Sequence, residues 1–247
     1  MINILLPMAG KSQHFSEDEY PYPKPLCEIG QKTIIERVIN NLATIGSSVQ
    51  FIFVVSSSDC RKFHLDSTLN IITDHKCKIV KLENDTRGAA CSALMAINHI
   101  DKEKPLVIAN PDQLFDDSLS NLIEQFQDAD AGVVTFESVH PRWSYVRHDE
   151  HGFVAETAEK RPISRNAIAG LYYFQQGSDF VNGAMSMIRK DSNINGSFYV
   201  APCLNELILM GKKIRTTSVD TLKYHTFYTP QKISEYEALL LRRENRN

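Results

Sequence analysis

The chain has 247 residues, 43% of them hydrophobic and 23% charged, with a formal net charge of −3. That length supports a sizeable core in one large domain or two small ones, and that charge excludes a general affinity for nucleic acid or for an anionic membrane surface. No apolar run reaches the ~18 residues of a membrane span, and the five cysteines, Cys27, Cys60, Cys77, Cys91 and Cys203, stand singly without a CxxC pair, as expected of reduced cytoplasmic thiols rather than a zinc site or a disulfide framework.

The chain opens on an apolar run, Ile2–Leu6, which carries no basic leader and is predicted to be a strand rather than a signal peptide. Further strands are predicted at Phe51–Val55, Lys78–Leu82 and Pro105–Ala109, with helices between them at Thr33–Ile45 and Ala89–Ile100. In the second of these helices Ala90, Leu94 and Ile97 recur on one face. Such alternation predicts a mostly parallel sheet with helices on both faces. Ligands of such sheets bind at the carboxyl ends of the strands, so the loops after Leu6 and Ala109 are the places to look.

The second half reads differently. Trp143–Lys160 predicts two strands around a turn at Asp149–Gly152, and Ala167–Phe174 predicts another strand. Ala201–Ile214 predicts a helix closed by Gly211, and a last helix starts at Pro230 with Ile233, Tyr236, Leu240 and Leu241 on its apolar side. No linker or repeat divides the chain, so one α/β domain over residues 1–247 is expected.

Three stretches carry chemistry. After the first strand, Met8-Ala9-Gly10-Lys11-Ser12 is a small-residue loop whose free amides suit an anion; it is neither a GxGxxG fingerprint nor a Walker loop, and an ordinary tight turn is the alternative. Lys24 stands between Pro23 and Pro25, which favour a stiff, extended presentation suited to neutralising charge on a transferred phosphoryl group. The loop after the fourth predicted strand, within Ile108–Phe115, contains Asp112 and lies at a strand end where ligands of such sheets bind.

A strand, a small-residue loop, "PKPL" and a helix, followed in order by "TRGAACSAL", "IANPDQLF" and "AEKRPISRNAIAGLYYF", resemble the sugar-1-phosphate nucleotidyltransferases, or nucleotide-sugar pyrophosphorylases. The nearest likeness is to the NTP-transferase proteins of bacterial capsule and surface-polysaccharide clusters, and it runs from Met1 to about Leu241. The resemblance implies a single Rossmann-like α/β domain with a mixed, mostly parallel central sheet flanked by helices. Residues 1–130 would form a nucleotide-binding half, and residues 131–247 an acceptor-binding half with the C-terminal helix. It implies a cytoplasmic enzyme that transfers NMP from a nucleoside triphosphate to a sugar 1-phosphate or similar small phosphorylated acceptor, releasing pyrophosphate, with a homo-oligomer left open. On that resemblance Met8, Ala9, Gly10, Lys11 and Lys24 would hold the triphosphate. Gly88, with Arg87 beside it, would let the base approach. Asp112 would bind Mg2+, Glu159 would accept bonds from the acceptor's hydroxyls, Lys160 would pair with its phosphate, and Gly170 would clear room for its ring.

The sequence departs from the family at three places. His14 stands where an arginine usually reaches the terminal phosphates; imidazole lacks the permanent charge and forked donors of a guanidinium and is ordinarily half-protonated only near pH ~6.5. Thr226 falls at the place of a second metal-binding aspartate and Tyr228 at that of a glycine, which leaves Asp220 and His225 as neighbouring substitutes. No glutamine precedes Gly88, so the base is unassigned, and CTP, UTP and dTTP come first for testing. These departures keep open a degenerate nucleotide-binding or regulatory protein, and the architecture also admits a glycosyltransferase. Each residue has a bland reading too: Asp112, Asp116 and Asp117 as helix caps, Glu159 and Lys160 as a solvated pair, and Trp143 and Tyr145 as core. Arg161, Arg165 and His140 are further candidates for ligand contact.

Overall fold

A computed structural model of the chain describes residues 1–12, 14, 15 and 20–244. Its first strand, β1 (Ile2–Pro7), is central, with Ile4, Leu5 and Leu6 fully buried because both faces of the sheet are covered. Two short strands, β2 (Glu28–Ile29) and β3 (Lys32–Thr33), form a small ribbon that leads into α1 (Ile34–Leu42). Thr33 caps that helix by accepting from the Glu36 amide, and its apolar stripe is buried. The strand β4 (Val49–Ser56) is followed by α2 (Ser57–Phe63), α3 (Leu65–Ile72) and β5 (Cys77–Leu82). Then come α4 (Ala89–Leu94), β6 (Leu106–Ala109), β7 (Gln113–Phe115) and α5 (Leu119–Glu124).

The second half contributes β8 (Ala131–Glu137), β9 (Ser144–His148), β10 (Val154–Glu159) and β11 (Asn166–Phe174), then α6 (Gly177–Arg189) and α7 (Cys203–Leu209). It ends with β12 (Ile214–Ser218), β13 (Tyr224–Thr226) and α8 (Pro230–Glu244). Among the described residues nine strands join in one sheet, in the order β10-β9-β11-β6-β1-β4-β5, with β8 on the other edge of β11 and β12 beyond it. The pairs of β1 with β4 and β6, and of β4 with β5, are parallel; β11 runs antiparallel to β6. The sheet is therefore mixed and mostly parallel in its first half. Alternate strand residues face two cores: Ile4 and Leu6 belong to the one that takes in α1, α5 and α8, whereas Leu5 belongs to the one that takes in α4, α6 and α7. Among the described residues no helix is long and apolar enough to cross a membrane.

Three predicted elements are corrected. The helix expected at Ala201–Ile214 stops at Leu209; Gly211 closes it with φ 77°, and Ile214 instead starts β12, held parallel to β8. The helix expected at Ala89–Ile100 is only α4, followed by a 3-10 turn at Ile97–His99. On α8, Ile233 and Tyr236 are buried and Leu240 packs on the core, but Leu241 is 60% exposed.

Candidate active site

The cleft forms where the edge of β11 changes partner. The strand β8 lines one edge of β11 on both sides of an irregularity between Ile168 and Tyr172. The other edge is shared: β6 pairs with residues 171–174, and β9 touches at Ala167–Tyr145. The end of β6 and the start of β9 thus face each other across Gly170. Its φ of +63° and the absence of a side chain are both required there, because a Cβ would lie 2.2 Å from Asn110 Nδ2 and 2.6 Å from Gln113 Oε1. The room left by the glycine is filled by Asn110 and Gln113, whose backbone amide and side-chain Nε2, respectively, donate to the Gly170 carbonyl at 3.0 and 2.9 Å.

Lys24 reaches this cleft from the 3-10 turn Lys24–Leu26, which extended Pro23 leads into. Its Nζ donates to Asp112 Oδ2 at 2.6 Å, and the two side chains are only 16% and 17% exposed. Asp112 sits in the bend between β6 and β7 and does not cap a helix; its carbonyl accepts from the Phe227 amide at 2.8 Å. Through the pairing of β13 with β7, Thr226 stands in register with Gln113, beside Asp112. Thr226 thus brings a hydroxyl, not a carboxylate, to the segment beside Asp112. Asp220 caps a 3-10 turn and His225 is held by Asp116 at 3.0 Å, so neither replaces it.

Among the described residues no group of three or more His, Cys, Asp or Glu could cage a metal. One carboxylate fits Mg2+, which commonly uses one or two carboxylates and completes its shell with substrate phosphates and water. The chemistry of the donor set thus suits a metal that arrives with a triphosphate.

On the far side, Glu159 ends β10 and lies opposite Ser144 of β9. The Ser144 hydroxyl donates to the Glu159 carboxylate. Burial raises the Glu159 pKa above the ordinary 4.5, against the opposing effects of the Ser144 bond and the Lys160 charge. Burial, and then the Glu159 charge, push the phenol of Tyr172 far above its usual range. Lys160 has a left-handed backbone, φ 54°, which turns it out of the strand so that its Nζ donates to Tyr199 Oη at 2.7 Å.

In the first half, Met8 is buried and its amide donates to Val54, while Gly10, Lys11 and His14 are exposed. Among the described residues the amides of Ala9, Gly10 and Lys11 donate to no backbone carbonyl, which leaves them open to an anion. Gly88 has φ +109°, and a Cβ on it would lie 2.5 Å from the Phe198 carbonyl oxygen. Its bareness therefore admits the backbone of the 191–199 segment. Arg87 turns the same way, with Nε donating to the Gly196 carbonyl at 3.2 Å and the guanidinium 5.0 Å from the Phe198 ring.

Other expectations are corrected or sharpened. Ser118, not Asp116 or Asp117, caps α5; Asp116 pairs with Arg243 and His225, and Asp117 with Lys223. Arg161 is taken by Glu156 and Arg165 by Glu137. Tyr145 is core, and its hydroxyl donates to the His140 carbonyl at 2.7 Å. Trp143 packs edge-on against Phe136 and Tyr228. The residues that the sequence reading passed over at the cleft are Asn110, Ser144, Tyr199 and Arg142, which stacks on Tyr228. Asn110 lies inside the "ANPD" stretch already singled out, so its signal was present; the others come from separate segments with no shared pattern.

Residues 4–177 match the family described as the MobA-like NTP transferase domain. A curated relative, the bifunctional protein GlmU of Methanococcus aeolicus, is 25% identical over 207 residues, 76% of this chain and 47% of that protein. The chain thus spans about half the length of the curated relative it matches. Among solved structures, the nucleoside-diphosphate-sugar pyrophosphorylase from Vibrio cholerae RC9 has a TM-score of 0.84 at 24% identity, covering 95% of this chain and 99% of that one. The inositol-1-phosphate CTP transferase from T. maritima has a TM-score of 0.75 at 15% identity, covering 96% and 94%. A putative glucose-1-phosphate thymidylyltransferase from Bacillus anthracis has a TM-score of 0.72 at 17% identity, covering 97% and 95%. These likenesses establish a shared fold across the whole sheet.

Proposed function

The chain belongs to the MobA-like NTP transferase domain family, and from that premise we propose that it transfers NMP from a nucleoside triphosphate to a sugar 1-phosphate or similar small phosphorylated acceptor. Pyrophosphate is released, and the product feeds surface-polysaccharide synthesis in the cytoplasm. The observation that carries this reading is the 2.6 Å contact of Lys24 with Asp112, which brings together two motif residues 88 positions apart in sequence.

In this reading an oxygen of the acceptor phosphate attacks the α-phosphorus, a new P–O bond forms, and the bond from the α-phosphorus to the pyrophosphate oxygen breaks. The protein contributes alignment and charge rather than covalent chemistry. The amides of Ala9, Gly10 and Lys11 hold the triphosphate, with His14 at the loop's end, and Lys24 offsets charge that develops on the transferred phosphoryl group. Glu159 accepts from the acceptor's hydroxyls and Lys160 pairs with its phosphate. Asp112 would hold Mg2+, which when bound neutralises phosphate charge. The base would approach near Gly88, whose own close neighbour is the Phe198 backbone, and Arg87, which is held on the Gly196 carbonyl. Two structural neighbours are named for thymidylyl transfer and for CTP, which favours pyrimidine nucleotides as first substrates.

The test is pyrophosphate release across a matrix of nucleoside triphosphates and phosphorylated acceptors with Mg2+. Release for at least one pair, lost in Lys24→Ala and Asp112→Ala, is the expected result. Nucleotide binding without release for every pair would assign the chain to the binding or regulatory class that His14 and Thr226 favour.

A further inference from the structure

We propose that Arg142, held over the ring of Tyr228, binds the phosphate of the acceptor and sets the requirement for a phosphorylated substrate. The proposal rests on the transferase reading above. It starts from an imbalance among the arginines. The arginines mostly lie against carboxylates, as Arg215 does on Asp128 and Arg165 on Glu137. The half-buried Arg37 donates to the Ile29 carbonyl at 2.6 and 3.1 Å. Arg142 is also half-buried, yet among the described residues its guanidinium meets neither a carboxylate nor a carbonyl. Its carbon instead lies 3.4 Å from the centroid of the Tyr228 ring and 5.4 Å from that of Trp143. An aromatic face offsets part of the cost of desolvating the cation, but it satisfies none of the guanidinium N–H donors. A cation stationed in this way is complete only when an anion arrives, and a guanidinium fork matches phosphate with two parallel bonds.

Its place in the fold points to the acceptor's phosphate rather than the triphosphate. The triphosphate loop follows β1, whereas Arg142 precedes β9, on the far side of β6 and Asp112. Tyr228 comes from the stretch after β13 whose neighbour Phe227 donates to the Asp112 carbonyl. On the other flank, the Trp143 carbonyl accepts from the Lys160 amide at 3.0 Å. The backbone on either flank of the Arg142–Tyr228 stack is therefore bonded to Asp112 and to Lys160, and Arg142 and Lys160 together suit a doubly charged phosphate monoester. Tyr228 occupies a position read from the sequence as a glycine in related enzymes; a bare residue there would leave Arg142 without its platform.

Trp143 is the chain's single tryptophan, so its emission reports on this site directly. The full chain is titrated with inorganic phosphate, with glucose 1-phosphate and with glucose. Saturable changes with the first two and none with glucose at equal concentration are expected. Arg142→Gln should weaken phosphate binding by about tenfold or more, the effect of losing a two-pronged charged contact. Tyr228→Phe should leave it nearly unchanged, and Tyr228→Ala should weaken it without touching the charge. With any nucleotide–acceptor pair that turns over, Arg142→Gln should raise the acceptor KM by a similar factor and leave the affinity for nucleotide alone, without acceptor, within about twofold. Unchanged phosphate binding in a folded Arg142→Gln, or a rise in the nucleotide KM alone, overturns the proposal while the transferase reading stands. Arg142-dependent phosphate binding with no pyrophosphate release from any pair sinks the transferase reading and leaves the phosphate subsite.

Discussion

Lys24→Met tests the centre of the cleft. The substitution keeps the stem of the side chain and removes the ammonium that lies 2.6 Å from Asp112, where both partners are more than four-fifths buried. A hydrogen bond to a charged group at such a site contributes about 1.5–3 kcal/mol. Any cation that takes Asp112 in the absence of nucleotide must first detach Lys24, which weakens metal-alone binding by about 10- to 150-fold. Lys24→Met should therefore bind Mn2+ or Mg2+ alone more tightly by roughly that factor, measured by calorimetry at low salt, while Asp112→Asn abolishes the binding. The same variant should lose pyrophosphate release by about 100-fold or more, the usual consequence of removing a charge-stabilising donor. Gain in one assay and loss in the other is the signature of a lysine that guards the carboxylate until triphosphate draws it away. Metal-alone affinity equal to or below wild type in Lys24→Met, with Asp112→Asn still disruptive, refutes the competition; retained turnover refutes the role of Lys24.

Gly170→Ala should cost about 2 kcal/mol or more in urea unfolding, since it combines a left-handed backbone with a Cβ 2.2 Å from Asn110, and should lower pyrophosphate release by displacing that asparagine; a loss under about 0.5 kcal/mol would show that the strand end yields freely. For Glu159 the folded pKa is raised above 4.5, so its proton is held more firmly in the folded than in the unfolded protein, and the associated stability is lost as pH rises through the raised value. The Tm advantage of Glu159→Gln over wild type should accordingly grow as pH rises from about 4.5 through that window and then level off; a constant difference at all pH values would contradict the burial argument. His14→Arg should tighten triphosphate binding, because a guanidinium adds a permanent charge and forked donors, and unchanged affinity would discount position 14 as a phosphate contact.

What the sequence discloses depends on whether a signal is local. Apolar runs such as Ile2–Leu6 and Phe51–Val55 announce buried parallel strands, and the helical pattern from Thr33 announces a helix; all three begin where expected, to within a residue or two. The helix α6 is silent because it contains Gly177 and Gly183 and several polar residues. It is held by tertiary packing, with Gly183 close against Leu207 and Phe180 and Met187 fully buried. Ile214 looked like a helix end because its strand exists only through pairing with β8. In the cleft, Lys24, Asp112, Glu159 and Lys160 each sit in a recognisable stretch. The stacking of Arg142 on Tyr228 joins distant segments of no distinctive composition, so nothing short of the fold discloses it.

The departures at His14 and Thr226 are better understood together than singly. Removing an arginine alone would leave the cleft short of one cation for a triphosphate, and removing an aspartate alone would leave it short of one anion for a metal. Losing both leaves the formal charge unchanged when the imidazole is neutral. What would change is the distribution: permanent positive charge would be thinner at the loop after β1 and negative charge thinner near Asp112, which Lys24 pairs. A transferase arranged in this way holds its triphosphate less firmly on its own and gains more from the second substrate, whose phosphate completes the charge balance across Arg142 and Lys160. Nucleotide affinity should then rise when the phosphorylated acceptor is present, and that cooperation should vanish in Arg142→Gln. Coupling of this kind is reciprocal by thermodynamic necessity, so the nucleotide must tighten the acceptor by the same factor. A paired loss of charges that preserves such coupling is adaptation of the cleft to its acceptor, whereas decay would leave the two sites independent.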